Sequence, residues 1–194
     1  YGEYTETEAT ELITLLSQKL IQSDYNIISG FGLGVGSAVI TGALKEIYMH
    51  RKSINDDRLL LRPFPQGIED ETTRQSLWKK YREDMISRAG ISLFLFGNKL
   101  EDGKLVLANG MRSEYEIAVE NNNLIIPIGC TGYMAQEIWS EMSKDLSKFH
   151  NNVDCALYEA FSKLNIKTSN EILVDNILAF MKLANHDKHS RHIT

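Results

Sequence analysis

Eight residues, Ser29-Gly30-Phe31-Gly32-Leu33-Gly34-Val35-Gly36, follow a short apolar run (25–28) and open an apolar-periodic stretch (35–49). A strand, a glycine turn and a helix in that order present main-chain N–H groups to a phosphate. Side chains would block its approach, and the helix N-terminus adds partial positive charge. The glycine spacing is loose, so the signal is for a nucleotide or phosphate in general. A tight strand-to-helix turn that holds no ligand would need the same glycines.

Cations recur near the ends of the other apolar runs. Arg62 follows the run 58–61, Lys99 follows 91–96, and Arg82 sits in a helical stretch feeding that second run. Glycine amides with several fixed cations suit a diphosphate. Each cation also has a plainer reading: Arg82 as a solvated helix charge among Lys79, Lys80 and Glu83, and Lys99 as an exposed loop lysine. Phe31 is either a stacking ring for a base or a core residue, and Arg62 and Phe64 flank a turn that could close over a base. Glu114 is expected to open a helix, where the dipole favours a carboxylate with or without a ligand.

Other chemistries find no support. The histidines do not cluster, and no Ser/His/Asp order, paired catalytic carboxylates or metal-ligand spacing emerges. Cys130 and Cys155 lie far apart and read as free thiols of a cytoplasmic protein.

The elements that must position these residues follow from hydrophobic pattern. Helices are expected over 7–22, 36–50, 72–88, 113–120, 134–149, 154–164 and 169–183. Strands are expected over 25–28, 58–62 (a buried-type run), 91–96 and 124–129, with a tight turn at 101–104 inside an excursion that reads as a hairpin. Residues 51–57 read as polar linker and 186–194 as a polar tail. Apolar strands alternating with helices mean an α/β fold, a mostly parallel sheet covered on both faces, with additional helices at the C-terminal end. Ligands in such folds sit beyond the carboxyl ends of strands: here 30–34, 62–67, 97–99 and 129–132.

Bulk properties narrow the partners. With 194 residues and 43% hydrophobic content the chain can build a core as one domain. A net charge of −5 argues against nucleic acid bound by general basicity. No apolar stretch is long enough to span a membrane, and no signal peptide is visible. The chain opens with Tyr1, which reads as a piece of something longer.

Two segments together carry a family resemblance. Residues Ile27 to Gly36 are similar to the Gly-rich motif of the SLOG and LOG-like superfamily, Rossmann-type domains that bind nucleotides. Asn109-Gly110-Met111-Arg112-Ser113-Glu114-Tyr115-Glu116 occupies the place of that superfamily's second motif, a Gly-Gly-x-Gly-Thr loop followed by a Glu-bearing helix. Between them, Tyr81-Arg82-Glu83-Asp84-Met85 resembles the helix carrying the superfamily's substrate-facing arginine. The likeness runs over about 7–132, most of the chain. The pattern departs from the hydrolytic members. An excursion separates Phe96-Gly97-Asn98 from Asn109, and Met111-Arg112-Ser113 replaces the Gly-x-Gly-Thr part.

With its inserted loop and helical C-terminal part, the chain most resembles the SLOG domain of the Thoeris antiviral NADase effector, a Rossmann-like three-layer domain over 1–194. That resemblance implies a non-enzymatic receptor for a cyclic ADP-ribose isomer, without metal or cofactor. It also implies an N-terminal sirtuin-like NAD hydrolase on the same polypeptide and homodimers or higher oligomers. The implied ligand residues are Ser29, Gly30, Phe31, Gly32, Leu33, Gly34, Arg62, Phe64, Arg82, Gly97, Lys99, Arg112, Ser113 and Glu114. Arg82 would take a pyrophosphate oxygen and Glu114 the ribose hydroxyls. The alternative implied by the wider superfamily is a nucleotide phosphoribohydrolase using Glu116; Glu116 also reads as a surface partner of Arg112. A third reading is an oligomerisation module with a vestigial pocket.

Overall fold

The computed structural model describes residues 2–32, 35–50, 56–65, 67–150 and 153–189, with backbone alone at 50, 56 and 186–189. Leu33 and Gly34 of the glycine turn, most of the 51–57 linker and residues 190–194 of the expected tail lie outside the described residues. The chain divides into two compact units, Glu6–Ala89 and Gly90–Thr194 together with Tyr1–Thr5.

In the unit Glu6–Ala89, α1 (Glu6–Gln22) carries Glu6 and Glu8 in its first turn, where they favour the dipole. Its buried stripe, Ala9, Leu12, Ile13, Leu16, Leu20 and Ile21, has helical spacing. This stripe meets α2 (Gly36–His50). Gly42 permits the approach: a Cβ there would lie 2.1 Å from the Thr14 carbonyl oxygen. Strands β1 (Ile27–Ser29) and β2 (Leu59–Leu61) pair in parallel, Ile28 opposite Leu60, and α2 is the crossover between them. Ile21, Ala43 and Ile47 form a buried cluster against which Ile27 and Leu59 pack. Helix α3 (Glu71–Ser87) is capped by Asp70, whose side chain accepts the Thr73 N–H at 2.7 Å. The expected buried run at 58–62 is corrected. The strand is three residues long, and Leu60 and Leu61 are 38% and 37% exposed. Among the described residues β2 pairs with β1 alone, so hydrogen bonding fixes one side of it only.

In the other unit, β3 (Ile91–Phe94) and β6 (Leu124–Pro127) pair in parallel, with Ile91 opposite Leu124. All four residues of β6 are buried, as a continuous apolar strand requires. The excursion is the expected hairpin, β4 (Asn98–Glu101) and β5 (Lys104–Leu107). Asp102 and Gly103 both have positive φ (50° and 73°), the turn conformation that suits a two-residue hairpin loop. Four helices follow: α4 (Asn109–Glu120), α5 (Tyr133–Ser143), α6 (Cys155–Lys163) and α7 (Asn170–His189). Trp139 stacks on Phe161 at 5.4 Å, and Phe161 meets Phe180 at 5.8 Å in the core.

Two helices end elsewhere than expected. The stretch 134–149 ends as a helix at Ser143 and continues as a single 3-10 turn, Leu146–Lys148. Helix α7 runs to His189, through the first residues of the expected tail. The α/β class with parallel strands and extra C-terminal helices is borne out.

Candidate functional site

The glycine turn is shaped by two phenylalanines. Phe31 has φ +52° and its ring lies on Gly36, where a Cβ would come within 2.5 Å of the ring's Cδ2. Phe64 lies on Gly30, where a Cβ would be 3.0 Å from its Cε2. Those two glycines are therefore needed to admit aromatic cover, with or without a ligand. Part of the expected amide cradle is also used internally. Ser29 Oγ accepts the Phe31 N–H at 3.2 Å, and the Gly32 carbonyl accepts the N–H groups of Val35 (3.3 Å) and Gly36 (3.0 Å). Phe31 remains 44% exposed, so its ring is not core.

The cations of this unit differ in their surroundings. Arg62 extends the parallel ladder, its N–H donating to the Ser29 carbonyl at 2.8 Å, while its guanidinium pairs with Asp84. Arg88 pairs with the same carboxylate at 2.9 Å, and the hydrogen bond from Arg88, with the charge of Arg62 behind it, holds Asp84 below the usual carboxylate range. Arg62 is thus half of an ion pair, not a bare cation at a strand end. Arg82 lies against rings: its guanidinium carbon is 5.0 Å from the Phe64 centroid and 5.9 Å from that of Trp78. A cavity of about 280 Å³ opens in the same unit, with Pro65, Glu69, Arg74 and Trp78 on its wall.

In the second unit the end of β3 is held against the starts of two helices. Phe96 and Gly97 both have positive φ, 58° and 92°. The Phe96 N–H donates to Thr131 Oγ1 (2.8 Å), which donates onward to the Ile128 carbonyl (2.6 Å). The carbonyls of Phe96 and Gly97 accept the N–H groups of Ala135 (2.9 Å) and Ala108 (2.8 Å). A Cβ on Gly97 would meet Met111 Sδ at 2.4 Å and Met134 Cβ at 2.7 Å, so no other residue fits. Lys99 is exposed on β4 and pairs with Glu101 at 3.2 Å.

Helix α4 begins at Asn109, four residues before the expected start, because the N–H groups of Met111 and Arg112 already donate to the Ala108 carbonyl. Glu114 is therefore the sixth helical residue rather than the opening one, and the argument from the helix dipole does not apply to it. It is half-buried. Ser113 Oγ donates to the Asn109 carbonyl at 3.2 Å. Arg112 pairs with Glu116 (3.2 Å) and Glu141 (2.6 Å) and lies 5.0 Å over the Tyr115 ring. Tyr115 Oη donates to Glu141 at 3.0 Å. Burial, then the hydrogen bond to Glu141, pushes the Tyr115 hydroxyl well above its ordinary value. The fourth strand end, 129–132, borders a cavity of about 470 Å³ that also reaches Gln136, Asn165 and Lys167. Burial raises the Cys130 thiol there, which keeps it protonated.

Across this geometry the sequence matches the profile of the Sir2- and TIR-associating SLOG family, over residues 1–184. The chain belongs to that family. It is similar to proteins called NAD(+) hydrolase ThsA: 44% identical to that of Bacillus cereus (strain MSX-D12) over 184 residues, 94% of this chain and 38% of that protein. Against that of Acinetobacter baumannii (strain 532279) it is 40% identical over 171 residues, 85% of the chain and 36% of the protein. Against that of Enterococcus faecium it is 33% identical over 188 residues, 96% and 38%. The chain thus spans somewhat over a third of the length of these relatives.

The candidate site residues fall into two groups, each described within its own unit. Ser29, Gly30, Phe31, Gly32, Arg62, Phe64 and Arg82 belong to Glu6–Ala89, and Gly97, Lys99, Arg112, Ser113 and Glu114 to the other. Sequence reading missed Trp78, Asp84 and Glu141. Trp78 had a signal: it stands four residues from both Arg74 and Arg82 on α3. Glu141 gave none, since its pairing with Arg112 joins residues 29 positions apart; Asp84 has Arg88 four residues on, but its pairing with Arg62 spans 22. Among the described residues no group of three His, Cys, Asp or Glu is placed to hold a metal, and no helix is long and apolar enough to cross a membrane.

Proposed function

We propose that this SLOG domain is the signal receptor of a longer NAD-degrading protein. It binds a cyclic ADP-ribose isomer and thereby switches on a sirtuin-like NAD hydrolase on the same polypeptide, in Thoeris anti-phage defence. The observation that carries this is coverage: the chain matches NAD(+) hydrolases over somewhat over a third of their length, and that part belongs to a family named for its association with Sir2 and TIR. Sir2 and TIR enzymes both consume NAD, so a derivative of ADP-ribose is the natural signal between them.

In this reading Arg82 is the pyrophosphate contact within Glu6–Ala89, and within the other unit Lys99 offers a charge and Glu114 an acceptor for ribose hydroxyls. Within Glu6–Ala89 the glycine turn lets backbone approach the ligand, and Phe31 and Phe64 offer ring faces to the base. Arg112 and Ser113 contribute the wall of the second motif. The domain needs no metal or cofactor, does no chemistry itself, and works in the cytoplasm as a homodimer or higher oligomer. Activation follows linkage: a ligand that binds one arrangement better shifts the population towards it.

The test is calorimetric titration of cyclic ADP-ribose isomers and nucleoside monophosphates into the wild-type chain and into Arg82→Ala, Lys99→Ala and Glu114→Ala, with chromatography for released base. Removing one charge-assisted contact of about 1.5–3 kcal/mol weakens binding roughly 10- to 100-fold. Release of free base at catalytic rates would replace the receptor with a hydrolase. Unaltered affinity in Arg82→Ala would remove that residue from the site.

A further inference from the structure

Arg74, Trp78 and Arg82 share one face of α3, each four residues from the next. The guanidinium of Arg82 lies against two rings at once, Phe64 at 5.0 Å and Trp78 at 5.9 Å. Those rings meet each other edge to face, 5.9 Å apart at 79°. The Trp78 Nε1–H donates to the Pro65 carbonyl at 3.1 Å, which ties the segment after β2 to α3. Phe64 in turn rests on Gly30. A continuous set of contacts therefore runs from Trp78 through Phe64 to the glycine turn, with Arg82 laid across it.

Helix α3 has little use for a tryptophan in its core. Ile86 is its one fully buried residue among those described, and Trp78 is only half-buried. What Trp78 does touch is Arg82, Arg74 and the Phe64–Pro65 segment. A guanidinium makes its hydrogen bonds to phosphate in its own plane, so contact of its flat face with rings is compatible with that use. An arginine already held against two rings also loses less side-chain freedom on binding than one left mobile.

We propose that Trp78 is a positioning residue for Arg82: together with Phe64 it fixes the guanidinium plane for an anionic ligand, and it does so without touching that ligand. This rests on the reading of Arg82 as a phosphate contact. Ring character is what matters at position 78, the Nε1–H contributing through the tie to Pro65.

The experiment is a double-mutant cycle read by calorimetry. A cyclic ADP-ribose isomer is titrated into the 194-residue wild-type chain, Trp78→Phe, Trp78→Leu, Arg82→Ala and the Trp78→Leu/Arg82→Ala pair, each with its melting temperature. Trp78→Leu weakens binding about 5- to 20-fold, and Trp78→Phe stays within about threefold of wild type, on the scale of a cation–π contact. In the Arg82→Ala background, Trp78→Leu costs nothing further, because there is no guanidinium left to hold. A purely structural tryptophan would weaken binding equally in both backgrounds, which would overturn the proposal, as would wild-type affinity in Trp78→Leu. If Trp78→Leu does not fold, Trp78→Met, which also lacks a ring, enters the same cycle with the same expectation. The two failures separate cleanly. If Arg82→Ala binds as wild type, or the wild-type chain binds nothing, the reading of Arg82 fails and the proposal falls with it. If Arg82→Ala weakens binding while Trp78→Leu does not, only the positioning role fails.

Discussion

Arg112 Nη1 and Glu141 Oε2 lie 2.6 Å apart, joining α4 to α5 within the second unit. Tyr115 Oη occupies the other oxygen of the same carboxylate. Burial would raise Glu141, but the hydrogen bonds from Arg112 and Tyr115 outweigh it and leave the group below its ordinary value. A carboxylate lowered by folding stabilises the native state above its unfolded pKa, near 4.3, and that contribution is lost as pH falls through the lower, folded value. Glu141→Gln is therefore less stable than wild type at pH 7. Because both side chains are more than a third exposed, the deficit is held to about 1 kcal/mol or less. Thermal melts from pH 7 to 3 check this: the gap between the two proteins closes below about pH 4, and a constant gap would contradict it.

Gly97 is the most constrained glycine of the second unit. Its φ of +92° disfavours any side chain, and a Cβ would clash with Met134 Cβ at 2.7 Å as well as with the more adaptable Met111. Gly97→Ala is expected to cost about 2 kcal/mol or more by urea unfolding. Gly90 is the control. Its φ is not positive and an added Cβ meets nothing within 4 Å, so Gly90→Ala is neutral or slightly stabilising.

Gly30 and Phe64 should be coupled. Alanine at position 30 must displace the Phe64 ring, which stands 3.0 Å from the new Cβ. Gly30→Ala is expected to cost about 1 kcal/mol in wild type and close to nothing in a Phe64→Ala background. Denaturant midpoints of the four proteins measure this. Equal costs in both backgrounds would show that the glycine serves something other than the ring.

The close α1–α2 crossing predicts a larger penalty at Gly42. The atom a Cβ would strike is the backbone oxygen of Thr14, at 2.1 Å, which cannot rotate away. The helices must separate, and Gly42→Ala is expected to lower stability by about 2–3 kcal/mol in an unfolding titration. A wild-type midpoint would refute the close crossing.

What could be read before the structure was what local pattern encodes. The apolar stripe of α1, the β6 run and the hairpin turn at Asp102-Gly103 all rest on residues a few positions apart. What could not be read depends on distant partners. The α4 start at Asn109 hides behind Gly110, a poor helix residue whose position next to the Gly97 turn favours the helix anyway. The exposure of β2 reflects how few strands flank it, which its three leucines do not reveal. For the site, residue types were legible and pairings were not. Arg62, Lys99 and Arg112 looked alike as cations, yet they pair with Asp84, with Glu101, and with Glu116 and Glu141 respectively. The aromatic bed under Arg82 brings Phe64 and Trp78 together from separate segments.

The central claim is that this SLOG domain receives a nucleotide signal without consuming it. The most direct measurement is a calorimetric titration of cyclic ADP-ribose isomers into the wild-type chain, with the ligand recovered and analysed afterwards. The account predicts saturable binding of at least one isomer and ligand returned chemically intact. Absence of binding by every isomer, or recovery of cleaved ligand at catalytic rates, would contradict it.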